Sequence, residues 1–208
     1  KGFRGIGRLC GLAYCKTLKF KTSYLGEAIA SVMICNAKKM REMLVENKKY
    51  TIDEIWGEIV DYETISEDAE KHYFEVEMID INHENTDLLN EKKIKEYLNF
   101  VAPVPYKNTF ILRNDIYSHA RNIGCPIDEY CVQINGQQIF KEYTTKIKEQ
   151  SGASLKNYDD ISRLEFKDFY DRDGKLIAWM WYGLSRFEKS IPKVNQMRGL
   201  RVRSGNIQ

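Results

Sequence analysis

Lys1-Gly2-Phe3-Arg4-Gly5-Ile6-Gly7-Arg8-Leu9 opens the chain with glycines at Gly-x-x-Gly-x-Gly spacing, and Leu9, Cys10, Leu12, Ala13 and Tyr14 follow at helical spacing. Glycine has no Cβ, so the backbone of such a run can come close to an anion. The N–H groups of the helix start then point at the anion, and the helix dipole favours negative charge there. Arg4 and Arg8 add positive charge. The run therefore reads as a phosphate-binding loop built from Gly2, Phe3, Arg4, Gly5, Ile6, Gly7 and Arg8. The competing reading is a flexible start or a tight turn with close helix packing. No Gly-Lys-Ser/Thr follows, which excludes a P-loop. Glu27, the acidic residue nearest the spacing of a dinucleotide fingerprint, lies in a polar turn, and no strand leads into the glycines. A phosphate loop ordinarily follows a strand or another binding element, so the expectation is the back part of a larger protein.

Beyond the glycines, Leu18 and Phe20 alternate with Lys19 and Lys21, which predicts a half-buried strand over residues 17–23. Leu25-Gly26-Glu27 turns the chain, and residues 28–35 return antiparallel. Asn36 caps a helix carrying Met40, Met43 and Leu44. Thr51-x-x-Glu54 is a capping box that opens a helix with Ile52, Ile55 and Trp56. Residues 60–65 and 72–81 read as strands around Glu67-Asp68, with Phe74, Val76 and Met78 alternating with Glu75 and Glu77. Residues 85–100 read as one helix with an apolar stripe of Leu88, Leu89, Ile94 and Leu98, stopped by Pro103 and Pro105. A domain boundary is placed there.

The rhythm then changes. Residues 115–123 predict a short helix closed by Gly124. Asn135-Gly136 between β-prone runs at 130–134 and 138–143 signals a hairpin. Residues 161–170 and 176–184 form another strand pair around Asp171-Arg172-Asp173-Gly174, and residues 200–203 read as a last strand. The fold class expected is α+β, with residues 1–100 and 101–208 as two domains.

The composition is that of a globular chain: 208 residues, 43% hydrophobic and 30% charged, with net charge +2 from 32 basic and 30 acidic residues. So small a basic excess argues against nucleic acid as a default partner, and no apolar run is long enough to span a bilayer. Cys10, Cys15, Cys35, Cys125 and Cys131 lie among apolar neighbours without a Cys-x-x-Cys pair. They read as free buried thiols in a reducing, cytoplasmic compartment. His72, His83 and His119 are scattered singly, so no metal site is assigned, and His119 near Cys125 reads as incidental. Asp159-Asp160 and Asp171/Asp173 read as turn and capping residues.

Taken in order, these residues resemble the GHKL (GHL) ATPases, the group of the ninety-kilodalton heat-shock chaperone, MutL, type II topoisomerase ATPase subunits and MORC proteins. Gly2-Phe3-Arg4-Gly5 is similar to the mismatch-repair version of their lid and phosphate motif, and Gly5-Ile6-Gly7 before an apolar helix to the chaperone version. Phe74-Glu75-Val76-Glu77-Met78 followed by Leu89-Asn90-Glu91-Lys92-Lys93-Ile94-Lys95-Glu96-Tyr97 resembles the end of the chaperone ATPase domain. Ile134-Asn135-Gly136-Gln137-Gln138-Ile139-Phe140 resembles a hairpin of the transducer, or middle, domain. The resemblance implies that residues 1–100 are the C-terminal part of a Bergerat-type ATP-binding α/β sandwich. Residues 101–208 would be a β-α-β transducer, truncated at its end.

The resemblance also implies ATP with Mg²⁺ as the cofactor of the parent protein, held in part by residues 2–8. The family's general-base Glu and Mg²⁺-holding Asn fall before this motif and are absent from this sequence, so no catalytic residue is assigned. This chain by itself is expected neither to hydrolyse ATP nor to retain it. Lys193, Arg198 and Arg201 are in-chain candidates for the basic residue that reaches the γ-phosphate. A homodimeric parent, a protein client and coupling of nucleotide state to domain movement are further implications. Two other function classes compete. One is a non-enzymatic interaction module using Trp179-Met180-Trp181-Tyr182, although alternation along that strand equally predicts core. The other is a nucleic-acid binder using Lys189, Lys193, Arg198, Arg201 and Arg203.

Overall fold

The computed structural model describes residues 6–46, 48–145, 161–184, 197–204 and 207, without the side chains of residues 6–8 and 85. It is a mixed α/β structure with antiparallel sheets, in two compact units, Lys1–Asn90 and Glu91–Gln208. The division falls before the boundary expected near residue 100, so the helix that follows Asn90 belongs to the second unit.

The first unit begins with a 3-10 helix, Ile6–Ala13, and an antiparallel pair, β1 (Cys15–Ser23) and β2 (Ile29–Asn36). Two helices follow, α1 (Ala37–Val45) and α2 (Ile52–Ile59), then β3 (Val60–Ser66) and β4 (Tyr73–Ile81). The sheet order is β3-β2-β1-β4, antiparallel throughout. The register pairs Leu18 with Cys35 and Met78, and Phe20 with Met33 and Val76. Residues directly opposite share a face, so these apolar side chains form one surface. The alternate positions pair Lys19 with Glu77 and Lys21 with Glu75, and place charge on the other surface.

Leu12, Ala37 and Met40 pack over one end of the apolar surface, against Cys15, Leu18 and Cys35. Toward the other end that surface is open: Phe74 is 59% and Tyr62 71% exposed. Both helix-start signals hold. Asn36 Oδ1 accepts from Lys39 N at 2.9 Å, and Thr51 and Glu54 exchange both bonds of a capping box.

The second unit contains α3 (Glu91–Val101), α4 (Arg113–Asn122), a minimal hairpin of β5 (Gln133–Ile134) and β6 (Gln137–Gln138), and a ribbon of β7 (Arg163–Tyr170) and β8 (Leu176–Leu184). Asn135 and Gly136 have φ of 49° and 77°, the left-handed pair that a tight hairpin turn requires. The core gathers Tyr106, Phe110, Leu112, Ile116, Tyr143 and Ile161. Trp179 and Trp181 pack against it from β8.

Several sequence expectations are corrected. The helix expected after the glycines forms, as a 3-10 helix. The helix expected over residues 85–100 is two pieces, a 3-10 turn His83–Leu89 and α3. Residues 200–203 form no strand; that segment carries a single bridge, Ser204 with Ile207. Of the five cysteines only Cys15 and Cys35 are buried, while Cys10, Cys125 and Cys131 are exposed. Asp171 is a turn residue as expected, its Oδ1 accepting from Asp173 N and Lys175 N. Asp159 and Asp160 lie outside the described residues. Among the described residues, no helix is long and apolar enough to cross a membrane.

Candidate functional site

Of the phosphate-loop residues, Gly2, Phe3, Arg4 and Gly5 lie outside the described residues, and Ile6, Gly7 and Arg8 form the first turn of the 3-10 helix. The C-terminal end of that helix is fixed from three directions. Cys15 Sγ donates to Gly11 O at 3.2 Å, Arg41 Nη1 to Leu12 O at 2.5 Å, and Asn82 Nδ2 to Ala13 O at 3.0 Å. Arg41 and Asn82 satisfy carbonyls that the helix leaves open, while Gly11 O also accepts from Tyr14 N at 2.9 Å, and Arg41 puts positive charge at the dipole's negative end. A Cβ on Gly11 would meet Leu18 Cδ1 at 2.7 Å, so glycine there lets the helix lie close on β1. The N–H-bearing end of the helix is the end that receives the glycine run. Burial pushes the Cys15 and Cys35 thiols up, which makes them core groups rather than nucleophiles.

The second unit concentrates its chemistry around four aromatic rings. Tyr106 lies 5.7 Å from Phe110 and 5.4 Å from Tyr143, and Trp181 lies 6.3 Å from Phe110 and 6.0 Å from Tyr143. Burial pushes the Tyr106 phenol up to about 12, against the charge of Arg203. Arg203 Nη2 donates to Tyr143 Oη at 2.8 Å, and the Arg201 guanidinium sits 4.5 Å over the Phe100 ring. A groove of about 740 Å³ runs along these groups, between Cys125–Asp128 and Trp179–Gly183.

Two features had no signal in the sequence. His119 Nε2 lies 2.8 Å from Asp168 Oδ1, with the imidazole stacked 4.2 Å from the Phe166 ring, and this clips α4 onto β7. The partners are forty-nine positions apart, so spacing could not reveal them. Lys141 is fully buried, its Nζ donating to Ala102 O at 3.2 Å and Val104 O at 2.6 Å. Burial, reinforced by Arg203 and opposed by Glu129, pushes its amine down to about 7.

The basic residues singled out from sequence divide. Lys189 and Lys193 lie outside the described residues. Arg201 and Arg203 engage aromatic rings rather than forming a solvated basic face. Trp179 and Trp181 pack against the core, while Tyr182 on the same strand is 43% exposed. Among the described residues, no group of three His, Cys, Asp or Glu side chains is placed to hold a metal ion. Comparison with family models, with curated proteins and with solved structures finds no match to this chain.

Proposed function

We propose that this chain is part of a GHL-type ATP-binding protein, in which residues 2–8 form one wall of the ATP·Mg²⁺ pocket and the second unit is a transducer-like module. The observation that carries this reading is the seating of the 3-10 helix. Arg41, Asn82 and Cys15 hold its far end, and the positive end of its dipole is the end at which the glycine run joins. The order of elements supports it: glycines, helix, antiparallel strands, then α3 leading a unit with an Asn-Gly hairpin. In phosphoryl transfer the protein mainly positions and stabilises charge, and this chain's share is the backbone cradle with Arg4 and Arg8. Contact of the run with the γ-phosphate would order it and couple nucleotide state to the second unit.

The test is calorimetric titration of Mg-ATP into the full-length protein carrying this chain, with and without Gly5→Ala and Gly7→Ala together. Methyl groups on the cradle are expected to weaken binding by about tenfold or more. Equal affinity in the double variant would remove residues 2–8 from the pocket.

A second reading is favoured by the groove in the second unit. Trp179, Met180, Trp181 and Tyr182 all line it, as a partner surface on that strand would require. Tyr182→Ala would then reduce retention of a partner while leaving ATP affinity unchanged.

A further inference from the structure

The turn after α3 is held by polar groups buried inside the second unit. Asn99 is 3% exposed, and its amide nitrogen, oriented by its neighbours, donates to Lys95 O and Phe140 O at 3.2 Å each. Tyr130 N donates to Pro103 O at 2.8 Å. Lys141 forms a parallel bridge with Tyr106: its N donates to Pro105 O and its O accepts from Lys107 N. The Lys141 side chain closes the set. Its Nζ reaches Ala102 O and Val104 O, which flank Pro103 just past α3, with the Tyr106 ring 5.7 Å away.

The number of acceptors is what matters. An ammonium has three N–H groups to place, whereas a neutral amine has two. Among the described residues, Nζ has two carbonyl acceptors and no carboxylate partner. A buried charge without a counter-charge costs far more than a buried neutral donor whose bonds are made.

We propose that Lys141 is a proton-operated latch on the turn joining α3 to the Tyr106 bridge, closed with the amine neutral and released as the amine takes up a proton. The surrounding charges agree with that direction. From the segment after β8, Arg203 opposes a positive Lys141; from the loop before β5, Glu129 favours it; burial is the largest influence, and the amine lies near 7 instead of 10.5. Tyr106, whose ring lies 5.7 Å from Nζ, is itself pushed up to about 12 and stays neutral across this range.

The sign follows from linkage. An opened turn returns Lys141 to water and its ordinary value, so the open form binds the proton more tightly and acidification favours opening. The latch needs no nucleotide and stands apart from the ATP-binding reading.

The test uses the full chain. Lys141 ¹³Cε is followed by NMR through neutral and alkaline pH, together with amide exchange at Ala102, whose N–H bonds Leu98 O, and at Lys107. The ¹³Cε titration is expected near neutrality. The opening constant at both amides, corrected for intrinsic exchange, should rise about tenfold per pH unit as pH falls from about 9 toward 7.5. Lys141→Met should flatten that slope. An ordinary lysine titration, or pH-independent opening in the unsubstituted protein, overturns the latch whether or not the variant folds.

Discussion

The two units hold their helices with different balances of apolar and polar contact. In the first, the 3-10 helix and α1 close over Leu18 and Cys35 through Leu12 and Ala37, and Cys15, Arg41 and Asn82 bond the last carbonyls of the 3-10 helix. In the second, α3 is tied by Asn99 and Lys141 to backbone carbonyls, and α4 by the His119–Asp168 pair. Apolar seating is non-directional and depends on area, while polar ties fix geometry and, at Lys141, depend on protonation. The first unit should therefore answer mainly to volume changes and, through Glu67, to acid, and the second to volume changes and to pH above neutrality.

The largest expected effects come from the cores. Phe110 has no exposed surface and touches Tyr106, Tyr143 and Trp181. Phe110→Ala is expected to destabilise the second unit by roughly 3–5 kcal/mol, and Leu18→Ala the first by roughly 2–5 kcal/mol. Urea unfolding read from Trp56 for the first unit, and from Trp179 and Trp181 for the second, separates the two. A loss reported equally by both sets of tryptophans would merge the units.

Next comes pH. The amine of Lys141 lies near 7 in the fold against an ordinary 10.5, so the unfolded chain binds that proton more tightly between those values. Second-unit stability should rise with pH across that window, by up to about 1.4 kcal/mol per pH unit. Glu67 gives the first unit a different signature. Lys71, Tyr73 and Lys21 bond its carboxylate and hold it well below the ordinary 4.5. Its stabilisation is present above that value and is lost as pH falls beneath it. Thermal melts of each unit from acid to alkaline pH check both slopes. A second unit flat from pH 7 upward would contradict the contrast.

The smallest effect is local. Thr51→Ala removes the capping box of α2 and should cost the first unit about 1 kcal/mol, read from Trp56 in urea.

What the sequence made legible follows from the same contrast. The strands of the first unit were readable because Leu18 and Phe20 alternate with lysines that pair across to glutamates. The starts of α1 and α2 were readable because Asn36 and Thr51 act on residues three positions away. The Asn135-Gly136 turn was readable, but not the length of its arms. Lys141 leaves the hairpin to bridge Tyr106, and Ile139 N reaches Val132 O outside any ladder. Residues 200–203 looked like a strand, yet Arg201 and Arg203 spend their side chains on Phe100 and Tyr143 instead. His119 and Lys141 were silent because their partners lie far along the chain. Of the candidate phosphate site, residue types and spacing were legible. The three donors that anchor the helix beyond it were not, since Arg41 and Asn82 arrive from other elements.

Hydrogen exchange of the full-length protein with and without Mg-ATP tests the central claim most directly. The account predicts nucleotide-dependent protection in residues 2–8, ending at the anchored carbonyls of Gly11, Leu12 and Ala13. Saturating nucleotide that leaves residues 2–8 unprotected would contradict it.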